Sequence, residues 1–274
     1  MQKRILLIND LSGVGKCSLT VAVPIISAFG YEASVIPTAV LSTHTGGFDG
    51  FTFCDLTDNM LKMAEHWHRL KLHFDAIYCG YLGSDKQVDI VIQIIKLLKS
   101  KDTLVIIDPV MADFGKLYTN FKPDFPQKLV PLCNLADIIV PNITEACLLT
   151  NTEYQTEHTP EFAQTLLDSL KAKLKSKNFV LTGVYKTTHE LGAACLLENG
   201  EVSFSFDRQI KGVYHGSGDV FCSTMCGYLM RTGDLKYSVQ HAVEFTAACI
   251  KSTRESGIDT GYGLVFEPEL KNLQ

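Results

Sequence analysis

Short apolar runs alternate with longer amphipathic stretches along almost the whole chain. The short runs predict strands at Arg4–Ile8, Ala33–Pro37, Ala76–Cys79, Thr103–Ile107, Ile138–Val140, Phe179–Leu181, Gly192–Leu197 and Val202–Phe206. The longer stretches predict helices near Lys16–Phe29, Leu56–Leu72, Lys86–Lys99, Asn142–Thr150, Pro160–Ser176, Ser217–Arg231 and Leu235–Ser252. This alternation predicts the α/β class, with a mostly parallel sheet between two layers of helices. The turn Glu198-Asn199-Gly200 predicts that the last two strands are antiparallel.

The strand–helix alternation continues without a break, and the composition excludes some classes of partner. No linker, repeat or low-complexity tract interrupts it, which predicts a single domain over residues 1–274. A net charge of −5 disfavours nucleic-acid and anionic-membrane partners, and no apolar run approaches the roughly 18 residues of a membrane helix. Nine cysteines without a Cys-x-x-Cys pair predict reduced thiols and a cytoplasmic protein. Cys222 and Cys226 share a helical face, either as metal ligands or, as we predict, as small buried side chains.

Polar or glycine residues follow five of the predicted strands, directly or, at Asn142, after one proline. They are Asn9 and Asp10, Gly80 and Tyr81, Asp108, Asn142, and Thr182 with Gly183. The carboxyl ends of parallel strands meet at one edge of a sheet, where α/β proteins bind ligands. Any one of these residues can be a helix cap or a turn, but together they predict a binding site at that edge.

The stretch from Asp10 to Ser18, Asp-Leu-Ser-Gly-Val-Gly-Lys-Cys-Ser, invites comparison with a phosphate-binding P-loop. That motif requires a glycine five positions before the Gly-Lys pair and a hydroxyl residue after the lysine. Here Asp10 stands at the glycine position and Cys17 at the hydroxyl position. An acidic side chain would fill the space of the phosphates and repel them. We predict that the stretch is not a P-loop and that Lys16 lies at the start of a helix.

The segment Gly216-Ser217-Gly218-Asp219 opens an apolar helix. Glycines leave the first helical N–H groups uncovered, and these groups can hold an anion at the positive end of the helix. A carboxylate there repels phosphate unless its task is to accept a proton from an attacking hydroxyl group, as in phosphoryl transfer. The alternative is that Asp219 only complements the helix dipole, a contribution of about 0.3–1 kcal/mol.

Two acidic residues suggest a magnesium site. Asp108 ends a buried strand, where an ionised carboxylate is costly unless it is solvated, paired or metal-bound. Asn142 and Glu145 have the spacing of a helix capping box, which would give Glu145 a purely structural role. The functional hypothesis is that Asp108 and Glu145 together hold Mg²⁺ through water, because Mg²⁺ prefers few direct carboxylates plus phosphate.

The segment Ser42-Thr43-His44-Thr45-Gly46-Gly47 is too polar for a continuing strand, so we predict a loop there. His44 is either a hydrogen-bonded turn histidine or a ligand contact. The other histidines singled out, His66, His68 and His73, lie on or near a charged helix and are predicted to be solvated.

Several motifs, taken in chain order, resemble the ribokinase superfamily and specifically its vitamin B6 kinase branch. They are Ser42-Thr43-His44-Thr45, similar to that branch's Ser-Asn-His-Thr segment, Gly80-Tyr81-Leu82-Gly83-Ser84, Asp108-Pro109-Val110-Met111, Pro141-Asn142-x-x-Glu145 and Gly216-Ser217-Gly218-Asp219. The resemblance extends from Ile5 to about Cys249. It implies a three-layer α/β/α ribokinase-like fold, a homodimer, and transfer of the ATP γ-phosphate to the 5′-hydroxymethyl group of pyridoxal, pyridoxine or pyridoxamine.

The resemblance also implies roles for individual residues and the cofactors ATP and Mg²⁺, and it leaves a monovalent cation open. The catalytic set would be Asp219 as base with the anion hole of Gly216, Ser217 and Gly218, and the Mg²⁺ set would be Asp108 and Glu145. Residues implied on the ATP side are Asn142, Glu145, Thr182 and Gly183. Residues implied on the substrate side are Asp10, Ser12, His44, Thr45 and Tyr81.

One position departs from the vitamin B6 kinases. They often carry a serine where this chain has Asp10, whereas the Asp10-x-Ser12-Gly13 pattern is closer to the related hydroxymethylpyrimidine kinases. Hydroxymethylpyrimidine kinase, or another small-molecule kinase of the same fold, is therefore the alternative function. A binding protein without catalysis is a third hypothesis, which the intact Asp219 and its glycines disfavour.

Overall fold

A computed structural model describes residues 2–274 of the chain. The strands are β1 (Arg4–Val14), β2 (Glu32–Thr43), β3 (Phe53–Asp55), β4 (Ala76–Cys79), β5 (Leu104–Ile107), β6 (Ala112–Asp113), β7 (Lys116–Leu117), β8 (Ile138–Ile139), β9 (Asn178–Thr187), β10 (Glu190–Leu196) and β11 (Val202–Arg208). The helices are α1 (Leu19–Ala28), α2 (Thr57–Arg69), α3 (Asp85–Leu98), α4 (Phe125–Cys133), α5 (Ile143–Thr150), α6 (Pro160–Lys173), α7 (Ser217–Thr232) and α8 (Leu235–Ser256). Two short 3₁₀ segments, Thr260–Tyr262 and Glu267–Leu273, follow α8.

Within the described residues, the main sheet has nine strands in the order β11-β10-β9-β8-β5-β4-β1-β2-β3. The strands from β9 to β2 in this order are parallel to their neighbours. At the two ends of the sheet, β10, β11 and β3 pair antiparallel, as predicted for β10 and β11. The short strands β6 and β7 form a separate hairpin between β5 and α4. The carboxyl ends of the parallel strands therefore lie along one edge.

Side chains of the sheet alternate between two cores, which gives three layers. In β1, Leu6 and Ile8 belong to the core covered by α2 to α6. Their neighbours Ile5 and Leu7 belong to the core covered by α1, α7 and α8. All four side chains are at most 1% exposed, and burying each is worth about 1.5–3 kcal/mol. Helices thus cover both faces of the sheet, and the predicted α/β/α layering is confirmed.

Each predicted strand and helix is present, and several bounds are wrong. The strand β1 was predicted to end at Ile8, with Asn9 and Asp10 beyond it, but it continues to Val14. The second strand also continues through Ser42 and Thr43, which were predicted to be loop. Cross-strand pairing explains both extensions, because the pairs Leu11–Val40 and Val14–Thr43 keep the backbone bonded where side chains such as Leu11 and Val14 are exposed.

Other departures follow from special backbone residues. Thr182 and Gly183 lie within β9 rather than after it. Helix α1 begins at Leu19 instead of Lys16, because Gly15 and Ser18 have φ angles of 85° and 51°, outside the helical region. Helix α4 was missed altogether, since Pro126 and Pro131 interrupt its pattern, although proline is tolerated in the first turn of a helix.

Two further sequence expectations concern cysteines and membranes. Cys222 and Cys226 are free thiols in the core between α7 and the sheet, so their predicted role as small buried side chains is confirmed. No helix in residues 2–274 combines the length and the apolar character needed to cross a membrane.

Candidate active site

The predicted polar residues do meet at the carboxyl edge of the parallel strands. Tyr81 follows β4, Asp108 follows β5, and Asn142 follows β8. Asn9 and Asp10 lie in β1 at the same level, since Ile8 pairs with Cys79, the last residue of β4. The turn that starts α7 brings Asp219 against Asn9. One side of the sheet edge thus carries a buried group of amides and carboxylates.

The glycine turn before α7 presents an open helix N-terminus. Gly216 has a φ of 78°, and a Cβ atom there would lie 2.2 Å from the carbonyl oxygen of Lys16, so only glycine fits. Gly218 has open space where a Cβ atom would be. No described side chain caps this N-terminus. The first N–H groups of α7 are therefore available to an anion.

Asp219 lies in the first turn of α7 and is partly exposed to solvent. Its Oδ1 accepts a hydrogen bond of 3.3 Å from Nδ2 of Asn9. Burial of the carboxyl raises its pKa to about 7, and the charge of Asp10 adds to the increase. The backbone N–H of Ser18 and the Asn9 amide lower the pKa and limit the shift. A carboxylate of this pKa can take a proton efficiently near neutral pH.

Asp108 is buried, at 8% exposure, and its charge is not neutralised by any described side chain. Burial raises the pKa of Asp108 well above its ordinary value, and the charges of Glu145 and Asp219 raise it further. Three carboxyls therefore repel one another without a cation among them. Such a concentration of negative charge is costly, and a divalent cation would relieve it.

The capping box predicted for Asn142 and Glu145 is present. Asn142 Oδ1 accepts from the backbone N–H of Glu145 at 2.9 Å, and Glu145 Oε2 accepts from the N–H of Asn142 at 2.9 Å. Oε1 of Glu145 accepts from the N–H of Met111 at 3.0 Å. Burial nevertheless raises the pKa of Glu145 to about 8. The side chain thus ties α5 to the segment after Asp108, and both its oxygens already have a partner.

No group of three or more His, Cys, Asp or Glu side chains in residues 2–274 is placed to hold a metal ion by itself. A site with few protein ligands, completed by water and phosphate, is the arrangement that Mg²⁺ prefers. Asp108, which has no hydrogen-bonding partner among the described side chains, has free oxygens for such an ion. Glu145 can reach an ion only through the remaining lone pairs of its oxygens, or through water.

Asp10 is held by hydroxyl groups. Its Oδ1 accepts from Ser18 Oγ at 2.5 Å and its Oδ2 from Ser12 Oγ at 3.0 Å. Burial raises the pKa of Asp10, while the bonds from Ser18 and Ser12 act in the opposite direction. Asp10 and Ser12 are both almost inaccessible, at 6% and 0% exposure. The bound hydroxyls leave Asp10 fewer free lone pairs for a ligand than the sequence alone suggested.

Hydrogen bonds to both ring nitrogens of His44, in the loop after β2, select one tautomer of the ring. The N–H of Gly46 donates to Nδ1 at 3.1 Å, so Nδ1 must be an acceptor, and Nε2 lies 2.8 Å from the carbonyl oxygen of Gly261, to which it must donate. Both ring nitrogens of His44 are therefore bonded to backbone groups, and the rings of Phe48 and His215 lie 4.9 Å and 5.0 Å from its ring. Thr45 beside it is exposed.

Tyr81 is fixed at both ends. Its backbone N–H donates to Oδ1 of Asn9 at 2.9 Å, and its hydroxyl accepts from Nδ2 of Asn120 at 2.7 Å. On the other side of the edge, Asn142 and Thr182 form an isolated parallel bridge. Gly183 follows with a φ of 83°. The residues predicted for the ATP side are thus adjacent to one another.

Lys16 is occupied elsewhere. Its Nζ lies 2.8 Å from the carboxylate of Glu267 and 5.7 Å from the ring centre of Phe266. Its backbone N–H donates to the carbonyl oxygen of Tyr262 at 2.9 Å. Lys16 therefore joins the loop before α1 to the C-terminal segment, and the prediction that it starts a helix is wrong.

Two residues of the site were not assigned a role from sequence. Asn9 was noted only as a polar residue near a strand end, and Ser18 was not considered. A polar residue directly after the apolar run Ile5–Ile8 is a signal that could have marked Asn9, because buried polar groups need partners. Ser18 has no comparable signal, since its importance lies in a backbone angle.

The phosphomethylpyrimidine kinase family matches residues 23–265 of the chain. A crystal structure with pyridoxal, of a Bacteroides thetaiotaomicron protein assigned as a phosphomethylpyrimidine kinase, is 36% identical with a TM-score of 0.93. The match covers 100% of this chain and 96% of that one. The structure of Lactobacillus plantarum pyridoxal kinase is 32% identical with a TM-score of 0.91, over 100% of this chain and 97% of the other.

The pyridoxal kinase of Arabidopsis thaliana is similar at 24% identity over 248 residues, which cover 85% of this chain and 76% of the plant protein. These relatives confirm the predicted ribokinase-like fold and the kinase class. They carry two names, because the family is named for a pyrimidine substrate and several of its relatives are named for pyridoxal. The chain belongs to the phosphomethylpyrimidine kinase family, among relatives that include pyridoxal kinases.

Proposed function

We propose that the protein transfers the γ-phosphate of ATP to the 5′-hydroxymethyl group of a vitamin B6 vitamer, namely pyridoxal, pyridoxine or pyridoxamine. The observation that carries this proposal is the position of Asp219. A carboxyl with a pKa of about 7 stands directly beside an uncapped helix N-terminus. A base for an alcohol and a donor group for a phosphoryl oxygen are thus adjacent, as phosphoryl transfer to an alcohol requires.

In the proposed reaction, the substrate hydroxyl oxygen attacks the γ-phosphorus as the bond to the leaving oxygen of ADP breaks. Asp219 accepts the hydroxyl proton during the attack, which contributes about 10²–10⁴-fold to the rate. The N–H groups of Gly216, Ser217 and Gly218 donate to the phosphoryl oxygens and stabilise their negative charge. Asp219 is part of the same helix turn as these donors, so the base and the phosphoryl group keep a fixed geometry.

The remaining residues divide between the two substrates in this proposal. The vitamer side comprises Asp10, Ser12, His44, Thr45 and Tyr81. The ATP side comprises Asn142, Glu145, Thr182 and Gly183. Because the ring nitrogens of His44 are bonded to backbone groups, we expect His44 to contact the vitamer through a ring face.

Mg²⁺ fits the acidic side chains at this edge. Asp108 would hold the ion with Glu145 in support, and the raised pKa values of both carboxyls indicate how unfavourable their charges are without a cation. When bound with ATP, the ion would supply positive charge to the phosphate oxygens. Glu145 also keeps Met111, and hence the segment after Asp108, in place through its backbone bond.

Hydroxymethylpyrimidine kinase is the second candidate function. The family that matches the chain carries a pyrimidine name, and the Asp10-x-Ser12 pattern is closer to the pyrimidine kinases. An aminopyrimidine offers an exocyclic amine, which can donate to a free lone pair of Asp10. The vitamer is placed first because a 36% identical relative was crystallised with pyridoxal and a 32% identical relative is named pyridoxal kinase.

A coupled ADP-release assay with Mg²⁺ and ATP distinguishes the two candidates. Pyridoxal, pyridoxine, pyridoxamine and hydroxymethylpyrimidine would be compared by kcat/KM. We expect a vitamer to be the best substrate, and a kcat/KM highest for hydroxymethylpyrimidine would show that the alternative is right. Mass spectrometry of the product, with a gain of one phosphate on the vitamer, excludes ATP hydrolysis as the source of ADP.

The homodimer implied by the family resemblance is also a proposal. It is supported by an apolar stripe where β1 and β2 continue beyond the predicted strands. Leu11 of β1 pairs there with Val40 of β2, and the two side chains are 37% and 39% exposed. The exposed Cys54 pairs with Val40 and continues the stripe. Light scattering after size exclusion would show a dimer of the wild type, and a monomer of the Leu11→Lys, Val40→Lys double variant.

A further inference from the structure

The side chain of Asn9 joins the proposed base to the loop on the substrate side. Asn9 is 2% exposed and lies in β1 at the carboxyl edge. Its Nδ2 donates to Asp219 Oδ1 at 3.3 Å. Its Oδ1 accepts from the backbone N–H groups of Tyr81, at 2.9 Å, and of Asp10, at 3.0 Å. One amide of β1 therefore contacts two other segments of the site, the Tyr81 loop and the first turn of α7.

The orientation of this amide is determined by its partners. The two backbone N–H groups can only donate, so the oxygen of Asn9 must face them and the NH₂ group must face Asp219. The amide also lies against Gly80, where a Cβ atom would come within 2.4 Å of Nδ2. Glycine at position 80 thus leaves room for the amide, and the amide has no alternative rotation that satisfies the same bonds.

We propose that Asn9 is a positioning residue, which fixes the carboxylate of Asp219 relative to the Tyr81 loop and so sets the geometry between base and substrate. This inference rests on the proposed function. Its oxygen holds the loop that would contact the vitamer, and its nitrogen holds the group that would accept the vitamer's proton. A buried asparagine with a merely structural role would need only satisfied bonds, without a link between these two segments.

Two substitutions separate the two halves of this role. Asn9→Asp keeps an acceptor for the N–H groups of Tyr81 and Asp10, but replaces the donor to Asp219 with a carboxylate oxygen that repels it. Asn9→Leu, of similar size, removes both the acceptor and the donor. Asn178→Asp is the matched control. Asn178 is the first residue of β9, at the edge of the sheet opposite to the site, and its Oδ1 also accepts from a backbone N–H, that of Glu198 at 3.0 Å.

The experiment measures kcat and KM for the best vitamer, together with hydrogen exchange of the peptide that contains Tyr81. For Asn9→Asp we expect kcat to fall by about tenfold or more, since a like charge beside a base disfavours its ionised form. Its KM and the protection of the Tyr81 peptide should remain close to wild type. For Asn9→Leu we expect the same loss of kcat, a higher KM and faster exchange. Asn178→Asp should retain wild-type kcat and KM.

Wild-type kcat in Asn9→Asp would overturn the inference, and so would a higher KM with unchanged kcat, which would make Asn9 a support of the loop alone. Failure of the proposed function is distinguishable from both outcomes. In that case the wild type itself would phosphorylate no vitamer, whereas failure of the inference appears only in Asn9 variants of an active enzyme.

Discussion

The hydroxyl oxygen of Ser18 lies 2.5 Å from Oδ1 of Asp10, and this bond holds Ser18 in a conformation that is unusual for a residue with a side chain. Ser18 has a φ of 51° and a ψ of −128°, just before α1. Strain of this kind costs on the order of 1–3 kcal/mol and persists only where surrounding contacts impose it. With its hydroxyl on Asp10, the backbone N–H of Ser18 faces Asp219 and favours its ionised form. Asp10 thus acts on the proposed base through Ser18.

Substitution of Ser18 tests this relationship. Ser18→Ala should lower the free energy of unfolding by about 1–3 kcal/mol, because the buried carboxylate of Asp10 loses a hydrogen bond while the strained backbone remains. Ser18→Gly loses the same bond but tolerates positive φ, so it should cost less than Ser18→Ala. Urea denaturation measures both. Equal stability of the two variants would contradict a strained backbone at Ser18.

The pH dependence of turnover should report the ionisation of Asp219. Because the pKa of this carboxyl is raised to about 7, the base is protonated and inactive below that pH, and kcat should fall on the acidic side of pH 7. The charge of Asp10 raises the pKa of Asp219, so Asp10→Asn should move the acidic limb of the kcat profile to lower pH. A limb that stays in place would show that Asp10 does not act on the base, and a limb that moves upward would show that the bond of Asp10 to Ser18 outweighs its charge.

Stability without Mg²⁺ should fall as pH rises. The folded-state pKa values of Asp219 and Glu145, about 7 and 8, exceed those of the unfolded chain, which are close to 4. The folded protein therefore binds more protons between about pH 4 and 8, and its free energy of unfolding decreases across that range. The relevant measurement is Tm at pH 6 and pH 8 in the presence of a chelator.

Mg²⁺ should reverse this loss, since it binds the ionised carboxylates of the folded state. We expect Mg²⁺ to raise Tm more at pH 8 than at pH 6. Asp108→Asn provides the control, because it removes one buried charge and should both raise Tm at pH 8 without Mg²⁺ and abolish the Mg²⁺ effect. The same Tm increase in Asp108→Asn as in the wild type would place the ion elsewhere.

The two glycines of the anion turn should respond differently to alanine. At Gly216 a Cβ atom would meet the carbonyl oxygen of Lys16 at 2.2 Å, and its φ of 78° is unfavourable for alanine. Gly216→Ala should therefore destabilise the fold, by about 1–3 kcal/mol from backbone strain alone. Gly218→Ala meets no atom within 4 Å and should fold normally. If both variants melt at the wild-type temperature, the backbone of Lys16 can move away from position 216 and the contact does not require glycine.

Much of the fold followed from the apolar pattern. The parallel strands and the helices that cover them were predicted, because short apolar runs such as Ile5–Ile8 and Ala76–Cys79 are typical of buried strands. The continuation of β1 to Val14 was not predicted, since there the partner strand and not burial keeps the chain extended. Helix α4 was missed because its two prolines disfavour a helix in the sequence pattern. In the fold, the burial of Phe125 and Leu129 in the core stabilises this helix.

Residues of the candidate site could be named from the sequence, but the hydrogen bonds that join them could not. Asp108 could be found because a carboxylate at the end of a buried strand is costly unless it is solvated, paired or metal-bound, and Asp219 because it stands in a glycine turn that opens a helix. That Asp10 would be bonded to Ser18 could not be predicted, because Ser18 lies eight positions away in a backbone conformation with no sequence signal. Asn9 reaches Asp219 across 210 positions of the chain, a contact that exists only after folding.

The proposed function depends most on Asp219 as the base of the phosphoryl transfer. The most direct measurement is kcat of Asp219→Asn with the best vitamer, in parallel with its Tm and its affinity for ATP. Asparagine keeps the shape of the side chain but cannot accept the proton, so kcat should fall by about 10²–10⁴-fold. Tm should not fall, because the substitution removes a buried charge and the lost dipole contribution is under about 1 kcal/mol, and the affinity for ATP should stay within a few-fold of wild type. Turnover close to wild type in a folded Asp219→Asn variant would show that Asp219 is not the base.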